Sequence, residues 1–147
     1  MTTTLHWTPQ LKIRKMCPEA VLPTKAHPTD SGLDITIIGV HKQLSPNVTL
    51  YKTGLQIAPE RGYYTELIAR SSLMKLDRML TNGTGIIDNS YRGELLVSLY
   101  NFGNKELELP LKVAQLVPRQ IVNLSVVEVE SLDETERGQG GFGSSGQ

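Results

Sequence analysis

Asp88 closes an apolar run, Gly85-Ile86-Ile87, and opens a polar turn that leads through Asn89-Ser90 into Tyr91-Arg92-Gly93-Glu94. A carboxyl group is ionised at neutral pH, so an acid presented in this way can take a proton from a water. The next run, Leu95-Leu96-Val97-Ser98-Leu99-Tyr100, has the composition of a returning strand. Together the two runs predict a β-hairpin with the acid at its mouth and the Tyr91 ring at its tip. Such a hairpin can hold a flat ligand against backbone groups while the acid addresses a water. Asp88 taken alone has a plainer use, because Asp bonds its own backbone in turns. Its companions decide between the two.

Ala69-Arg70-Ser71-Ser72-Leu73 follows one strand-like run and opens a helical one. Free N–H groups, an arginine fork and two hydroxyls make an anion site there, or a plain helix cap. Asn82-Gly83 is a strong turn dipeptide six residues before Asp88. Gln115 is the polar member of an otherwise apolar run, Lys112-Val113-Ala114-Gln115-Leu116-Val117, and Asp34 follows a glycine at the start of another. Residues 137–147 contain five Gly and two Ser, with Arg137 and Phe142 among them. Gly138, Gly140 and Gly143 satisfy G-x-G-x-x-G, but a dinucleotide site needs a helix after it and too few residues remain. A segment of this composition cannot pack alone and is expected to stay mobile until something orders it. Arg92 and Glu94 read as turn or interface charges. His6, His27 and His41 show no metal-ligand spacing, and no G-x-S-x-G supports a serine nucleophile.

The elements that must position these groups are short strands. Strand-like runs recur at 11–15, 33–40, 49–58, 63–69, 95–102, 106–111, 114–121 and 124–130, with Gly, Pro, Asn and Asp between them. The one helical candidate is 71–80, where Leu73, Leu76, Met79 and Leu80 share a face and Ser71 or Ser72 can cap it. The pattern implies an all-β fold, an antiparallel barrel or sandwich of jelly-roll type with one short helix. At 147 residues the chain is one domain with its own core. One Trp and two Phe leave that core to Val, Ile and Leu, which suits β structure and leaves room for oligomerisation.

Lys+Arg and Asp+Glu stand at 15 each, so no global field recruits nucleic acid or an anionic membrane. Counter-charges for an anionic ligand must be placed locally. Cys17 is alone, which excludes an internal disulfide framework and a cysteine zinc site. The first ten residues are polar and no run approaches about 18 apolar residues. A soluble, intracellular protein, cytoplasmic or nuclear, is expected.

The segment 85–94 closely resembles the uracil-binding hairpin of the trimeric dUTP pyrophosphatases (dUTPases). Four further segments resemble that family's motifs in family order: 30–35, 69–73, 112–117 and 137–146. The resemblance covers nearly the whole chain and implies the jelly-roll-like dUTPase fold, with a β domain at 1–136 and a flexible C-terminal lid at 137–147. It implies that Asp88 is the general base and that the Tyr91 ring carries the deoxyribose, leaving no room for a 2′-hydroxyl. Asn82 stands at the position that reads uracil, helped by hairpin groups of Gly85, Ile86, Ile87 and Leu96. Arg70, Ser71, Ser72 and Gln115 fall on phosphate-side positions, and Asp34 orients Arg70 or a magnesium-bound water from behind. Phe142 stacks on the base, Arg137 reaches the γ-phosphate, and Gly143, Ser144 and Ser145 donate to phosphate oxygens.

Some positions depart from the family pattern. Ser72 replaces the usual Gly, Ala69 the usual Pro, Leu33 an aromatic residue, Lys112 an Arg and Ser145 a Thr. A serine at 72 requires ordinary right-handed or extended backbone there.

The function implied is hydrolysis of dUTP to dUMP and pyrophosphate by water attack on the α-phosphorus. That reaction limits uracil incorporation into DNA and supplies dUMP for thymidylate synthesis. Mg²⁺ is implied as cofactor, held mainly by the substrate phosphates, with no protein metal ligand. A homotrimer with shared active sites is implied, and neither nucleic acid nor membrane as partner. A dCTP deaminase-related enzyme and a catalytically silent regulatory module of the same fold are the alternatives. The first lacks its Glu-bearing motif here, and the second has no need of Asp88 and Arg137 together.

Overall fold

The computed structural model describes residues 7–143. Among them are ten strands: β1 (Leu11–Lys15), β2 (Leu33–Ile37), β3 (Gly39–Ser45), β4 (Val48–Lys52), β5 (Leu55–Pro59), β6 (Tyr63–Ala69), β7 (Arg78–Leu80), β8 (Gly85–Ile87), β9 (Leu96–Asn101) and β10 (Leu111–Gln120). A single 3₁₀ turn, Ser71–Leu76, lies between β6 and β7. The strands pair antiparallel in three sheets, ordered β1-β5, β2-β10-β6-β8 and β3-β4-β9-β7. This is the all-β, jelly-roll-like architecture that the short alternating runs imply.

Alternation aims one face of each strand inward. Leu55 and Ile57 of β5, Thr65 and Leu67 of β6, and Val97 and Leu99 of β9 are buried at every second position. With Ile35, Ile37, Val113 and Leu116 they make one aliphatic core. Large aliphatic side chains stabilise the fold by ~1.5–3 kcal/mol each when fully buried.

Several expected elements divide where the chain changes sheets. The run 33–40 breaks at Ile38, so that β2 joins β10 while β3 joins β4. The run 49–58 breaks at Thr53-Gly54. Gly54 adopts φ 69°, a conformation that favours glycine. The buried Thr53 hydroxyl donates to Leu95 O at 2.7 Å and accepts from Leu55 N–H at 3.2 Å. A corner that exchanges these bonds replaces the ladder that a continuous strand would use.

The helix expected at 71–80 is shorter and differently capped. Arg70 is its N-cap, with no side-chain bond, so neither Ser71 nor Ser72 caps it. Asp77 at φ 53° ends it, and Arg78–Leu80 turn into β7. The buried Arg78 guanidinium explains the change, donating to Leu76 O (2.9 Å), Asn101 Oδ1 (2.8 Å) and Lys105 O (2.9 Å). Those acceptors lie beside β9, and they draw the chain into the sheet.

Segments 106–111 and 124–130 were expected as strands, but 106–110 and 124–130 have no strand structure. Val126 is 95% exposed and Leu124 84% exposed. Among the described residues this segment has no strand partner.

The hairpin expected around Asp88 is also not a paired hairpin. β8 pairs with β6, whereas β9 pairs with β4 and β7, so residues 88–95 bridge two sheets. Among the described residues the edges of β8 away from β6 and of Leu96-Val97 away from β4 have no strand partner. They form a slot whose backbone groups remain available to a ligand.

Candidate active site

Asp88 leaves β8 just after the pair Ile87–Thr65 and stands exposed at the mouth of that slot. A cavity of about 170 Å³ opens there, walled by Ile86, Ile87, Tyr91 and Leu96, with Asp88 at its rim. The turn that closes it is internally bonded. Tyr91 N–H donates to Asp88 O at 3.1 Å, and the Tyr91 hydroxyl donates to Glu94 O at 2.9 Å. Gly93 makes room for the ring, since a Cβ there would come within 2.6 Å of Tyr91 Cζ. Apolar walls, one ring face and one acid suit a flat heterocycle with a sugar attached.

Two of this cavity's residues were not among those assigned from sequence. Glu94 and Leu95 also line it. Glu94, read above as a turn or interface charge, accepts Gly54 N–H at 3.0 Å and ties the turn to the β4–β5 corner. Nothing in its spacing signals that contact, which depends on the break at Gly54.

A second cluster gathers around Asp34 on β2. Its carboxylate takes Arg70 Nε at 3.1 Å and Lys112 Nζ at 3.9 Å. Arg70 Nη1 also donates to Lys112 O at 3.4 Å, and Gln115 Nε2 donates to Ala69 O at 3.3 Å. Gln115 pairs with Asp34 across β10 and β2, so the two side chains share a face. A register shift between Lys112 and Ala114 sets that pairing. The bulge buries both Val113 and Ala114 and then returns Gln115 to the polar side. Gly32 makes room for it, because a Cβ at 32 would overlap Gln115 Oε1. Two cations thus flank a carboxylate that holds Arg70 in one orientation, with the Gln115 amide on the same face, a donor set able to meet an anionic oxygen.

Ser72 resolves the question of its missing glycine. It lies within the 3₁₀ turn, and its φ is not positive, so a side chain there is unstrained. Asn82 sits outside the Asp88 cavity. Its amide nitrogen lies 3.2 Å from where a Gly85 Cβ would stand, and Gly83 turns the chain at φ 64°.

The two clusters do not meet within one chain. Asp88 follows the residue paired with Thr65, at the start of β6, whereas Arg70 follows its last residue. Six residues of extended strand put them ~20 Å apart.

A larger cavity, about 370 Å³, lies elsewhere, between Leu11, Leu33, Tyr64, Leu116 and Pro118. It is mostly apolar and gathers none of the candidate catalytic groups. The Tyr64 phenol beside it is pushed above its usual range, first by desolvation and then by the Glu66 carboxylate it bonds at 3.2 Å.

A family model described as dUTPase matches residues 18–146. The chain belongs to the dUTPase family. The deoxyuridine 5'-triphosphate nucleotidohydrolase of Arabidopsis thaliana is 38% identical over 141 residues, covering 95% of this chain and 84% of that one. The corresponding protein of Clostridioides difficile is 36% identical over 140 residues, covering 92% and 97%. Among solved structures, a mutant dUTPase of Staphylococcus bacteriophage 80alpha with dUpNHpp superposes with a TM-score of 0.80 at 26% identity, covering 95% of this chain and all of that one.

Within the dUTPase frame the tail stands apart from both clusters. Arg137 Nε donates to Gly140 O at 2.8 Å, and Gly138 N–H donates to Thr135 O and Oγ1 at 3.1 Å each. Phe142, at φ 53°, is fully exposed. Gly143 is the last described residue, and Ser144 and Ser145 lie outside the described residues. The described tail therefore bonds to itself and to Thr135, and the structure does not bring it to Asp88 or Arg70.

Among the described residues no group of three His, Cys, Asp or Glu could hold a metal ion. Asp34 is already engaged by two cations. No helix of the described residues is long and apolar enough to cross a membrane.

Proposed function

We propose that this chain hydrolyses dUTP to dUMP and pyrophosphate, as a homotrimer whose active sites are each completed by neighbouring chains. The observation that carries the reading is the slot between β8 and β9, which do not pair with each other, with Asp88 at its rim and Tyr91 on its wall. Uracil enters the slot and is read by backbone groups near Ile86 and Leu96, while Asn82, outside the cavity but beside Gly85 at the start of β8, reaches the edge of the base. Cytosine presents an amino group where uracil presents O4, and so leaves donors and acceptors facing wrongly. Tyr91 carries the deoxyribose.

Asp88 then takes a proton from a water as that water attacks the α-phosphorus. The new bond forms from the water oxygen, and the bond to the bridging oxygen breaks, with pyrophosphate leaving on the far side. Arg70, Ser71, Ser72 and Gln115 of a second chain position the phosphates, with Asp34 behind Arg70. Residues 137–147 of a third act as a lid, with Arg137 on the γ-phosphate and Phe142 over the base. Mg²⁺ carried by the triphosphate supplies further neutralisation of the charge on the leaving group. The separation of the Asp88 and Arg70 clusters along β6 supports the shared site. So do the exposed apolar side chains of residues 121–132, which a neighbouring chain would bury. The reaction removes dUTP from an intracellular pool and supplies dUMP.

The test is pyrophosphate release from each deoxynucleoside triphosphate in turn with Mg²⁺, with ammonia measured from dCTP. Pyrophosphate from dUTP alone is expected. Ammonia from dCTP would mark a deaminase, and no product from any of them a silent module.

A further inference from the structure

We infer that Asn89 is a positioning residue for Asp88, a role that rests on the reading of Asp88 as the base. Asn89 is half-buried, and its side-chain Nδ2 donates to three main-chain carbonyls: Pro59 O at 3.2 Å, Glu60 O at 3.0 Å and Tyr63 O at 2.7 Å. These carbonyls belong to the β5–β6 turn, whose shape is set by Gly62 at φ 89° and by Tyr63 N–H donating to Glu60 O at 3.1 Å.

The β6–β8 ladder ends at Ile87–Thr65. One step on, Asp88 lies across from Tyr64, and Asn89 lies across from Tyr63. At that point a side-chain amide replaces the backbone donor that a longer strand would have used on Tyr63 O. The backbone of 88–90 is thereby freed to turn away from the sheet while still being tied to it. On its other side Asn89 O accepts from the Arg92 guanidinium, which also donates to Tyr91 O at 3.0 Å. The Asp88 backbone is thus held between the last ladder pair and the Asn89 clamp, which fixes where its side chain leaves the chain at the edge of the cavity.

The chemistry admits few substitutes. Three acceptors converge on one atom, so the site requires a group that only donates, which an amide nitrogen does and a carboxylate cannot. A displacement of about 1 Å in a reacting group can lower turnover ~100-fold.

The experiment compares kcat, KM for dUTP and thermal midpoint for Asn89→Ala, Asn89→Asp, Asn89→Gln and Asp88→Asn, and for Asn89→Ala combined with Asp88→Asn. The expected results are a kcat about 10- to 100-fold lower in Asn89→Ala with KM nearly unchanged, an equal or larger loss in Asn89→Asp, and partial recovery in Asn89→Gln. In the Asp88→Asn background, Asn89→Ala should subtract nothing further, because the group it aims is already gone. Parental kcat in both Asn89→Ala and Asn89→Asp would overturn the proposal. So would a loss that adds in full to that of Asp88→Asn, which would mark a purely structural residue. Undiminished turnover in Asp88→Asn itself would instead remove the base assignment. An inactive Asp88→Asn beside fully active Asn89 variants would remove the clamp alone.

Discussion

Asp88 lies across from Tyr64, near the start of β6, and Arg70 directly follows Ala69 at its other end. A strand is stiff at this length, and the ~20 Å between them does not close by side-chain movement. On the proposed reading each chain carries two halves of a site, and in a closed ring of identical chains the Asp88 cavity of one copy meets the Arg70 cluster of another.

That arrangement predicts complementation between two inactive variants. Asp88→Asn lowers kcat ~10²–10⁴-fold and leaves dUTP binding in place, because only the proton acceptor is lost. Arg70→Ala is inactive for a different reason. Chains co-expressed and assembled at random regain on the order of a quarter of intact sites, because the two lesions then fall in different halves. Steady-state pyrophosphate release from the purified mixture checks this. A mixture as inactive as its components would place both residues in one chain's site.

Removing Asp34 frees Arg70. Fixing a long charged side chain costs roughly 1.5–2 kcal/mol, which the 3.1 Å ion pair has already met before substrate arrives. Asp34→Ala should accordingly lower kcat/KM about tenfold, although one repulsive charge near the phosphates is also removed. An unchanged or higher kcat/KM would show that repulsion outweighs orientation there.

Gly93→Ala tests the support under the ring. Its Cβ would come within 2.6 Å of Tyr91 Cζ, so the ring must move off the sugar position. Discrimination against UTP should fall while the fold survives, and Tyr91→Ala should lose that discrimination outright. The measurement is the ratio of kcat/KM for dUTP to that for UTP. A ratio equal to the parent's in both variants would take the ring out of sugar selection.

Truncation after Glu136 should abolish hydrolysis and leave the trimer and its thermal midpoint nearly intact. The described tail bonds only to itself and to Thr135, so its removal takes no packing from the body. Gel filtration with scanning calorimetry reads the assembly and the midpoint. Dissolution of the trimer would make the tail structural.

Much of the fold was legible because short β-branched and aliphatic runs at regular spacing leave little but an antiparallel β architecture. β1 and β6 fall where the runs 11–15 and 63–69 place them. Two of the misreadings share one cause. At Ile38 and at Thr53-Gly54 the hydrophobic pattern continues while the chain passes from one sheet to another, and alternation cannot record which sheet a strand joins. At 77–80 a helical pattern was overruled by the buried bonds of Arg78 to Asn101 and Lys105, more than 20 residues away in the chain.

Residue types and their order determined by themselves that this chain is a β domain, which side chains could carry chemistry, and the family it resembles. Only the tertiary structure decided that β8 and β9 do not pair with each other and leave a slot, that a bulge at Val113 brings Gln115 beside Asp34, and that Asp88 and Arg70 lie near opposite ends of β6. Those outcomes depend on register and on long-range backbone hydrogen bonds. Such bonds join peptide groups that every residue shares, so side-chain identity along the chain does not encode them locally.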